Sequence, residues 1–549
     1  MEIIQYNENI KEDTIIFLKK VFKENDRKLL LNEVRNQDIL NIKKNYLKNG
    51  NFWCLLNDKK EICGTIGLRH LENYYEIRRF FISKPYQKKG FGKKLLNVAI
   101  DYSIQNSYKI LRAATMYSGK IAQAIFYYYG FKQIERYNNS TADIFFELEL
   151  NRSTIYQFNL RKLNESFQKS LILNPTENIP SLYKNNQTEL FEGLYVSERF
   201  KDVNDKVIFA GRNNYIEFFQ FIKEEWKKEF HAEDVDLKTL SGLNAHLIFF
   251  LCILKPGDKV MLLPEVCGGH FATEQILKNI GADVCLMIPD YQNLCVDINK
   301  TIELIKKEKI NYLFVDRSEG LYYEDFSWLK QFTSIYKIFD ASQYISSIIC
   351  GRFTNPFDMG FDLIVSTLHK NFPGPQKGIF ATKNKNDFVW NQYLSQAKTY
   401  ISNTHPKGIA DSILPILEKN KFREYCIITE NCVKLLEEKL ILKKVPVVKR
   451  KKKHVFTQHL WILCDTKEES YQYYLKLETL NLLTNYRLLP YNLGYGLRIG
   501  LNAAVLSGLN ENNIEKLSDL MSEAYHNDLT DSLQMKCAEF IQSIKFTAK

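Results

Sequence analysis

Four short runs constrain this chain more than anything else in it: Lys259-Val260-Met261-Leu262-Leu263, Tyr312-Leu313-Phe314-Val315-Asp316, Ile338-Phe339-Asp340 and Leu363-Ile364-Val365-Ser366. Each is continuously apolar rather than alternating, and helical patterns separate them. A strand that is apolar on both faces must be covered on both faces, so the runs read as neighbours in a mainly parallel sheet with helices on either side. Functional groups in such sheets gather at the carboxyl ends of the strands, which is where Asp340 and the hydroxyls of Ser366 and Thr367 fall.

The signals change character near residue 150, where short strands around one glycine-punctuated helix give way to these runs. At 549 residues the chain exceeds one ordinary core. The reading is a first module over 1–150, a large α/β domain over 151–425 and a small lobe over 426–549. No stretch of eighteen apolar residues occurs, and the start resembles neither a secretory signal nor a transit segment, so a cytoplasmic protein without membrane contact is expected. Eleven cysteines lie without Cys-x-x-Cys or ligand-type spacing; neither disulfides nor a structural metal are expected. The net charge of +11 has one concentration, Lys449-Arg450-Lys451-Lys452-Lys453-His454. Without interleaved stacking aromatics it reads as a solvated turn between two strands and not as a nucleic-acid surface.

In the first module, the strand-like Glu76-Ile77-Arg78-Arg79-Phe80-Phe81-Ile82-Ser83 precedes Gln87-Lys88-Lys89-Gly90-Phe91-Gly92 and a helix carrying Leu95, Ala99 and Tyr102 on one face. A glycine turn opening a helix aims several N–H groups and the positive end of the helix dipole in one direction, which suits a pyrophosphate. With the later Ala122…Phe126-Tyr127-Tyr128-Tyr129-Gly130-Phe131, this order resembles the GNAT family of acyl-CoA-dependent N-acyltransferases, a mixed α/β fold, over about 1–150. The resemblance implies acyl-CoA, with acetyl-CoA the first candidate. It places Gln87, Lys88, Lys89, Gly90, Gly92 and Lys93 on the pyrophosphate, the Phe81-Ile82 edge along the pantetheine arm, and Glu76 where many members carry a base. A water-facing carboxylate is the alternative for Glu76. Phe126 stands where the family often has an acidic tyrosine, and Tyr127 faces another side of the helix.

In the second part, Lys370 follows a buried-type strand in Ser366-Thr367-Leu368-His369-Lys370, and Arg498 lies between glycines in Gly496-Leu497-Arg498-Ile499-Gly500. A deprotonatable amine can bond an aldehyde cofactor, and a forked guanidinium can hold a substrate carboxylate. Asp340 supplies a carboxylate for a pyridine nitrogen, and Ser241-Gly242 opens a helix that can take a phosphate, although such a serine also serves as a plain N-cap.

These stretches, with Leu173 to Asn178, Phe191-Glu192-Gly193, Lys255-Pro256-Gly257-Asp258, Gly268-Gly269-His270 and Asp340-Ala341-Ser342-Gln343, resemble serine hydroxymethyltransferase and its fold-type-I, pyridoxal-phosphate-dependent relatives over about 165–525. The resemblance implies an aminotransferase-like α/β/α domain with a small C-terminal α+β lobe, a homodimer through that domain, and pyridoxal 5′-phosphate bonded to Lys370. It further implies Asp340 on the pyridine nitrogen, and Ser241, Gly242, Thr367, His369 and His270 around the cofactor. Ser318 and Gln343 would lie near its phenolic oxygen, Arg498 with Thr176 and Tyr195 at the substrate, and Glu192 from the other subunit as acid/base.

Four departures stand out: Cys267 at the family's ring-stacking histidine, Gln343 for a histidine, Leu190 for a tyrosine two residues before Glu192, with Tyr195 close by, and Arg487 for a folate-facing asparagine. They point away from ordinary folate dependence, while the resemblance implies aldol, retro-aldol, transaldolase or hydroxymethyl-transfer chemistry at Cα of an amino acid and on an aldehyde, with the first module acylating an amine in the same specialised pathway. Transamination or decarboxylation, with a first module that binds acyl-CoA without catalysis, remains the alternative.

Overall fold

The computed structural model describes residues 1–24, 33, 36–179, 185–196, 213–450 and 457–547. They form two compact units, 1–168 and 169–549.

The first unit is built on a seven-stranded sheet in the order Glu2–Gln5, Asn51–Leu56, Ile62–Leu71, Tyr74–Ile82, Ile110–Thr115, Ile144–Glu149, Lys132–Ile134. Every neighbouring pair is antiparallel except Tyr74–Ile82 with Ile110–Thr115, which run parallel and pair only over Tyr75–Ile77. Beyond Ile77 the two strands part, leaving one edge of Phe80–Ile82 open while Phe81 and Ile82 stay paired to Thr65 and Gly64. The helix Phe91–Gln105 starts at Gly90, whose φ of +85° is left-handed, and buries Leu95, Leu96 and Ala99 against the sheet. The helix Arg152–Gln168, expected with the second module, packs here instead. Phe158 enters this core and Lys162 pairs with Asp101 at 2.6 Å, so the first unit runs past residue 150.

The second unit carries a seven-stranded sheet in the order Asp283–Leu286, Lys259–Leu262, Tyr312–Val315, Tyr336–Asp340, Leu363–Thr367, Gly378–Thr382, Asp234–Asp236. The first five strands are mutually parallel, and Gly378–Thr382 is antiparallel to both of its neighbours. Successive residues of the apolar runs enter two different cores. Met261, Leu313, Phe339 and Ile364 join one, and Val260, Leu262, Phe314, Ile338 and Val365 join the other. This division is the physical reason the runs do not alternate.

A smaller lobe holds a three-stranded antiparallel sheet, His459–Ile462, Gly494–Gly500 and Asn485–Leu489, with the helices Lys467–Thr479, Ile514–His526 and Asp531–Thr547. The helix Lys419–Leu442 runs through the expected boundary at 425/426. Its Phe422 and Cys426 belong to the core of the large sheet, and Val433, Leu436 and Leu440 to the core of the lobe. Leu171 and Leu173 also join the lobe, because Leu171–Ile172 pairs with Leu482–Leu483.

The basic run departs from the solvated turn expected of it at Arg450, whose guanidinium is buried against Glu437 at 2.7 Å and donates to His459 O. Residues 451–456 lie outside the described residues. Among the described residues no helix is long and apolar enough to cross a membrane, and all eleven cysteines are free thiols.

Candidate active site

Four strands of the second unit end beside one another and deliver the site. Asp340 closes Tyr336–Asp340, Oδ1 accepting from the Ser342 amide at 2.7 Å and Oδ2 lying 3.0 Å from His246 Nε2. Burial alone would raise the Asp340 carboxyl; His246, the Ser342 side chain and Lys370 outweigh it and hold the pKa at about 2. Asp340 therefore stays ionised, as a partner of a protonated pyridine nitrogen must.

Lys370 follows Leu363–Thr367, and its carbonyl accepts from Asn178 Nδ2 at 2.7 Å and lies 3.4 Å from Asn502 Nδ2. Burial lowers its ammonium pKa, with Asp340 opposing and Arg498 adding to the shift, so the neutral amine needed for attack is favoured. Lys377, a fully buried lysine nearby, is pulled down to about 7 by burial, but it donates to Lys238 O and Thr404 O and has Asp236 as its charge neighbour. Lys370, not Lys377, shares its environment with Asp340 and Arg498.

A candidate phosphate seat lies where the helix Gly242–Ile253 starts. Ser241 caps it by accepting from Asn244 N, and a Cβ on Gly242 would lie 3.2 Å from Ser342 Oγ and 3.4 Å from Thr367 Cβ. Ser342 Oγ accepts from Thr367 N, and Thr367 Oγ1 is 2.7 Å from His369 Nδ1. Two hydroxyl groups and a helix N-terminus thus face one space, the donor set an anionic phosphate takes. Burial, with Lys370 adding, lowers His369 to about 4 and keeps it neutral.

His270 lies among His246, Lys370 and Asp340 and is likewise lowered to about 4, by burial first. Cys267, by contrast, is enclosed in the core with its thiol raised to about 12 by burial. The imidazole this loop offers the site is therefore His270's. Gln343 accepts from Gln458 through Oε1 while its buried Nε2 has no partner among the described residues. A buried amide donor left unpaired costs free energy, and the cofactor's phenolic oxygen would satisfy it; with the ionised Asp340 and the small Gly242, the residues fit pyridoxal phosphate. Ser318 is half-buried in the loop after Tyr312–Val315.

At the substrate end, Arg498 is buried and its pKa drawn down to about 10 by burial, with Glu319 opposing and Arg487 adding. Glu319 Oε1 lies 3.4 Å from Arg498 Nη1 and 2.6 Å from Arg487 Nη1. The Gly268-Gly269 turn positions Glu319: its amide donates to Gly268 O, Gly269 bridges Arg317, and a Cβ on Gly268 would sit 2.1 Å from Glu319 O.

Thr176 donates to Asn174 Oδ1 at 2.9 Å, within the segment whose Pro175 packs on Gly500. Glu192 and Tyr195 are not joined to this cluster by the chain itself. Glu192 is exposed beside His405, and the Tyr195 segment is tied to Asn403 and Thr404. His246 and Glu319 escaped the sequence reading. His246 stands one turn into the phosphate helix, a polar residue in an apolar stretch and a usable signal; Glu319 had none.

In the first unit, Lys88 (φ +60°) and Gly90 (φ +85°) turn the chain ahead of the helix, and Gln87 Nε2 donates to Ile82 O. Gly92 sits against the neighbouring helix, a Cβ there falling 3.1 Å from Ile125 Cδ1. Lys89 is exposed, and Lys93 lies over the Tyr128 ring and 3.8 Å from Glu165. The loop thus lies beside the edge of Phe80–Ile82 that Ile110–Thr115 leaves open, with Gln87 already bonded to Ile82 O.

Glu76 is neither free nor facing water. It is 4% exposed, with Oε1 accepting from Asn138 at 2.7 Å and Tyr137 at 3.2 Å, and Oε2 from Arg69 at 2.7 Å. Phe126 is packed against Phe80, Phe131 and Phe146, while Tyr127 points outward and donates to Gln133.

The order of the seven-stranded sheet, with helices on both faces and a small lobe beyond it, is a fold-type-I pyridoxal-phosphate enzyme architecture. Comparison with known proteins places it further. The family model of the acetyltransferase (GNAT) family matches residues 19–131. A fluorothreonine transaldolase of Streptantibioticus cattleyicolor is 36% identical over 157 residues, covering 28% of this chain and only a quarter of that protein's length. Serine hydroxymethyltransferases of Pyrobaculum islandicum and Thermococcus onnurineus are 22% and 26% identical, covering 66% and 54% of this chain and 87% and 72% of those proteins. An L-threonine transaldolase from Pseudomonas fluorescens superposes with a TM-score of 0.65 at 20% identity, over 71% of this chain and 91% of that one. The chain joins a GNAT domain to a serine hydroxymethyltransferase-like domain of the fold-type-I class.

Proposed function

We propose that the second unit is a pyridoxal-phosphate-dependent transaldolase, exchanging the aldehyde portion of a threonine-type β-hydroxy amino acid for another aldehyde. The observation that carries this reading is the convergence of Lys370, the ionised Asp340 and Arg498 on one space. When bound, the cofactor supplies an electron sink for the Cα bond that breaks. The chain does the rest. Arg498 would grip the amino acid's carboxylate and so fix the orientation of the bonds at Cα. Asp340, ionised beside His246, would partner the cofactor's protonated pyridine nitrogen. Ser241, Gly242, Ser342 and Thr367 anchor the phosphate, and Glu192 of a second copy moves the β-hydroxyl proton. Arg487, held by Glu319, stands where a folate-dependent relative has an asparagine, which favours an aldehyde over folate as the acceptor.

The first unit binds acyl-CoA, with the pyrophosphate on the amides of residues 88–93 and the pantetheine arm along Phe80–Ile82, and transfers the acyl group to an amine. The engaged Glu76 and the core Phe126 favour a second reading, acyl-CoA binding without transfer.

The protein reconstituted with pyridoxal phosphate and given threonine plus an aromatic aldehyde is expected to release acetaldehyde and form a new β-hydroxy amino acid, with Lys370→Ala inactive. Formation of a keto acid or carbon dioxide instead would replace transaldol chemistry by transamination or decarboxylation. Free thiol released from acetyl-CoA in the presence of amines separates the two readings of the first unit.

A further inference from the structure

The two arginines of the substrate end share one carboxylate. In the small-lobe sheet Arg487 pairs with Gly496 and Arg498 with Asn485, so both guanidiniums project from the same face. Glu319 reaches them from the large sheet, its Oε1 2.6 Å from Arg487 and 3.4 Å from Arg498. Its side chain is 3% exposed, as is that of Arg498, whereas that of Arg487 is 32% exposed. Glu319 Oε2 and Arg498 Nε, both buried, have no hydrogen-bond partner among the described residues. The contact with Arg498 is thus half-made: within ion-pair range, with an acceptor and a donor left over on either side. A pair built only to hold the lobe to the sheet would satisfy those atoms.

From this geometry we infer that Glu319 is a built-in surrogate for the substrate's carboxylate. With no amino acid present it neutralises Arg498; when an α-carboxylate arrives it yields Arg498 and remains with Arg487. Arg487 is then the alternate seat that makes the exchange inexpensive, since Glu319 never becomes an unpaired buried charge. The two guanidiniums match the two carboxylates present once substrate is bound. The exchange lowers apparent amino-acid affinity by the fraction of time Arg498 is occupied, and it admits only ligands whose carboxylate competes with Glu319. Free aldehydes and amines without a carboxylate leave Arg498 covered.

This inference rests on the reading of the site as one for an amino acid on pyridoxal phosphate, and the test separates the two. The reconstituted full-length protein is titrated with glycine, and the cofactor's absorbance is followed to give a dissociation constant. Wild type is expected to shift and Arg498→Lys to lose the shift; a wild type without any shift refutes the reading of the site and this inference with it. Given that shift, Glu319→Gln should bind glycine about tenfold more tightly, the gain expected if Arg498 is covered about nine-tenths of the time. Arg487→Gln should bind it more weakly, because Glu319 then has Arg498 alone. In the Glu319→Gln background, Arg487→Gln should change nothing further. Unchanged or weakened binding by Glu319→Gln, or equal weakening by Arg487→Gln in both backgrounds, overturns the surrogate role and leaves the amino-acid site standing.

Discussion

Replacing Asp340 by asparagine tests the electrostatics of the site without needing the cofactor. The carboxyl sits at about 2 in the folded chain against an ordinary 3.8, a lowering of about 1.8 units. At about 1.4 kcal/mol per pH unit, the ionised form favours folding over the neutral form by about 2.5 kcal/mol. Asparagine has the shape of the neutral form, so Asp340→Asn apoprotein should be about 2.5 kcal/mol less stable than wild type. For a unit of this size that is a fall in Tm of about 3 °C. The sign follows from the lowered pKa: the contribution is present above the ordinary carboxylate value of 3.8 and is lost as pH falls through it towards 2. Urea unfolding followed by tryptophan fluorescence reports on it, because Trp226, Trp328, Trp390 and Trp461 all belong to the second unit. The same variant in the reconstituted protein should lose nearly all turnover while still binding the cofactor's phosphate. Apoprotein as stable as wild type at pH 7 would show that His246 and Ser342 do not hold an ionised carboxylate.

Other perturbations follow from the packing. Gly500→Ala puts a methyl 2.4 Å from Pro175 Cβ and 2.6 Å from its Cα, so the segment to Asn178 that braces Lys370 must move; a loss of about 1–3 kcal/mol in urea unfolding and weaker cofactor retention on dialysis are expected. Phe126→Tyr buries a hydroxyl among Phe80, Phe131 and Phe146; thermal unfolding should show a cost of about 1–3 kcal/mol, and thiol release from acetyl-CoA should not rise. Asp38→Asn leaves Arg79 buried without its carboxylate partner at 2.6 Å and should destabilise the first unit by about 3–5 kcal/mol in a denaturant titration; a neutral result would mean that Asn36 and Tyr46 satisfy the guanidinium alone.

What was legible in the chain beforehand is what local backbone demands write into it. The four apolar runs are doubly covered strands, Gly90 is a left-handed helix cap, and Lys370, Asp340 and Ser241-Gly242 stand at strand ends and a helix start. The helix Arg152–Gln168 was assigned to the wrong neighbour because its pattern says which face is apolar but not which core receives it. Glu76 carried no mark of its partners, since Arg69 comes from the adjacent strand and Tyr137 and Asn138 from a distant loop.

By itself, then, the sequence determined the strands, the turns that need glycine, and the types of group each strand end offers, because these depend on a residue and its immediate neighbours. Only the tertiary structure decided the charge state and pairing of those groups. His246 under Asp340, Glu319 between Arg487 and Arg498, and Arg450 against Glu437 are contacts between elements brought together by the whole fold. The physical reason is that a buried charge is settled by whichever opposite charge or donor lies within a few ångströms in space. The distance between Glu319 and Arg498 along the chain says nothing about that.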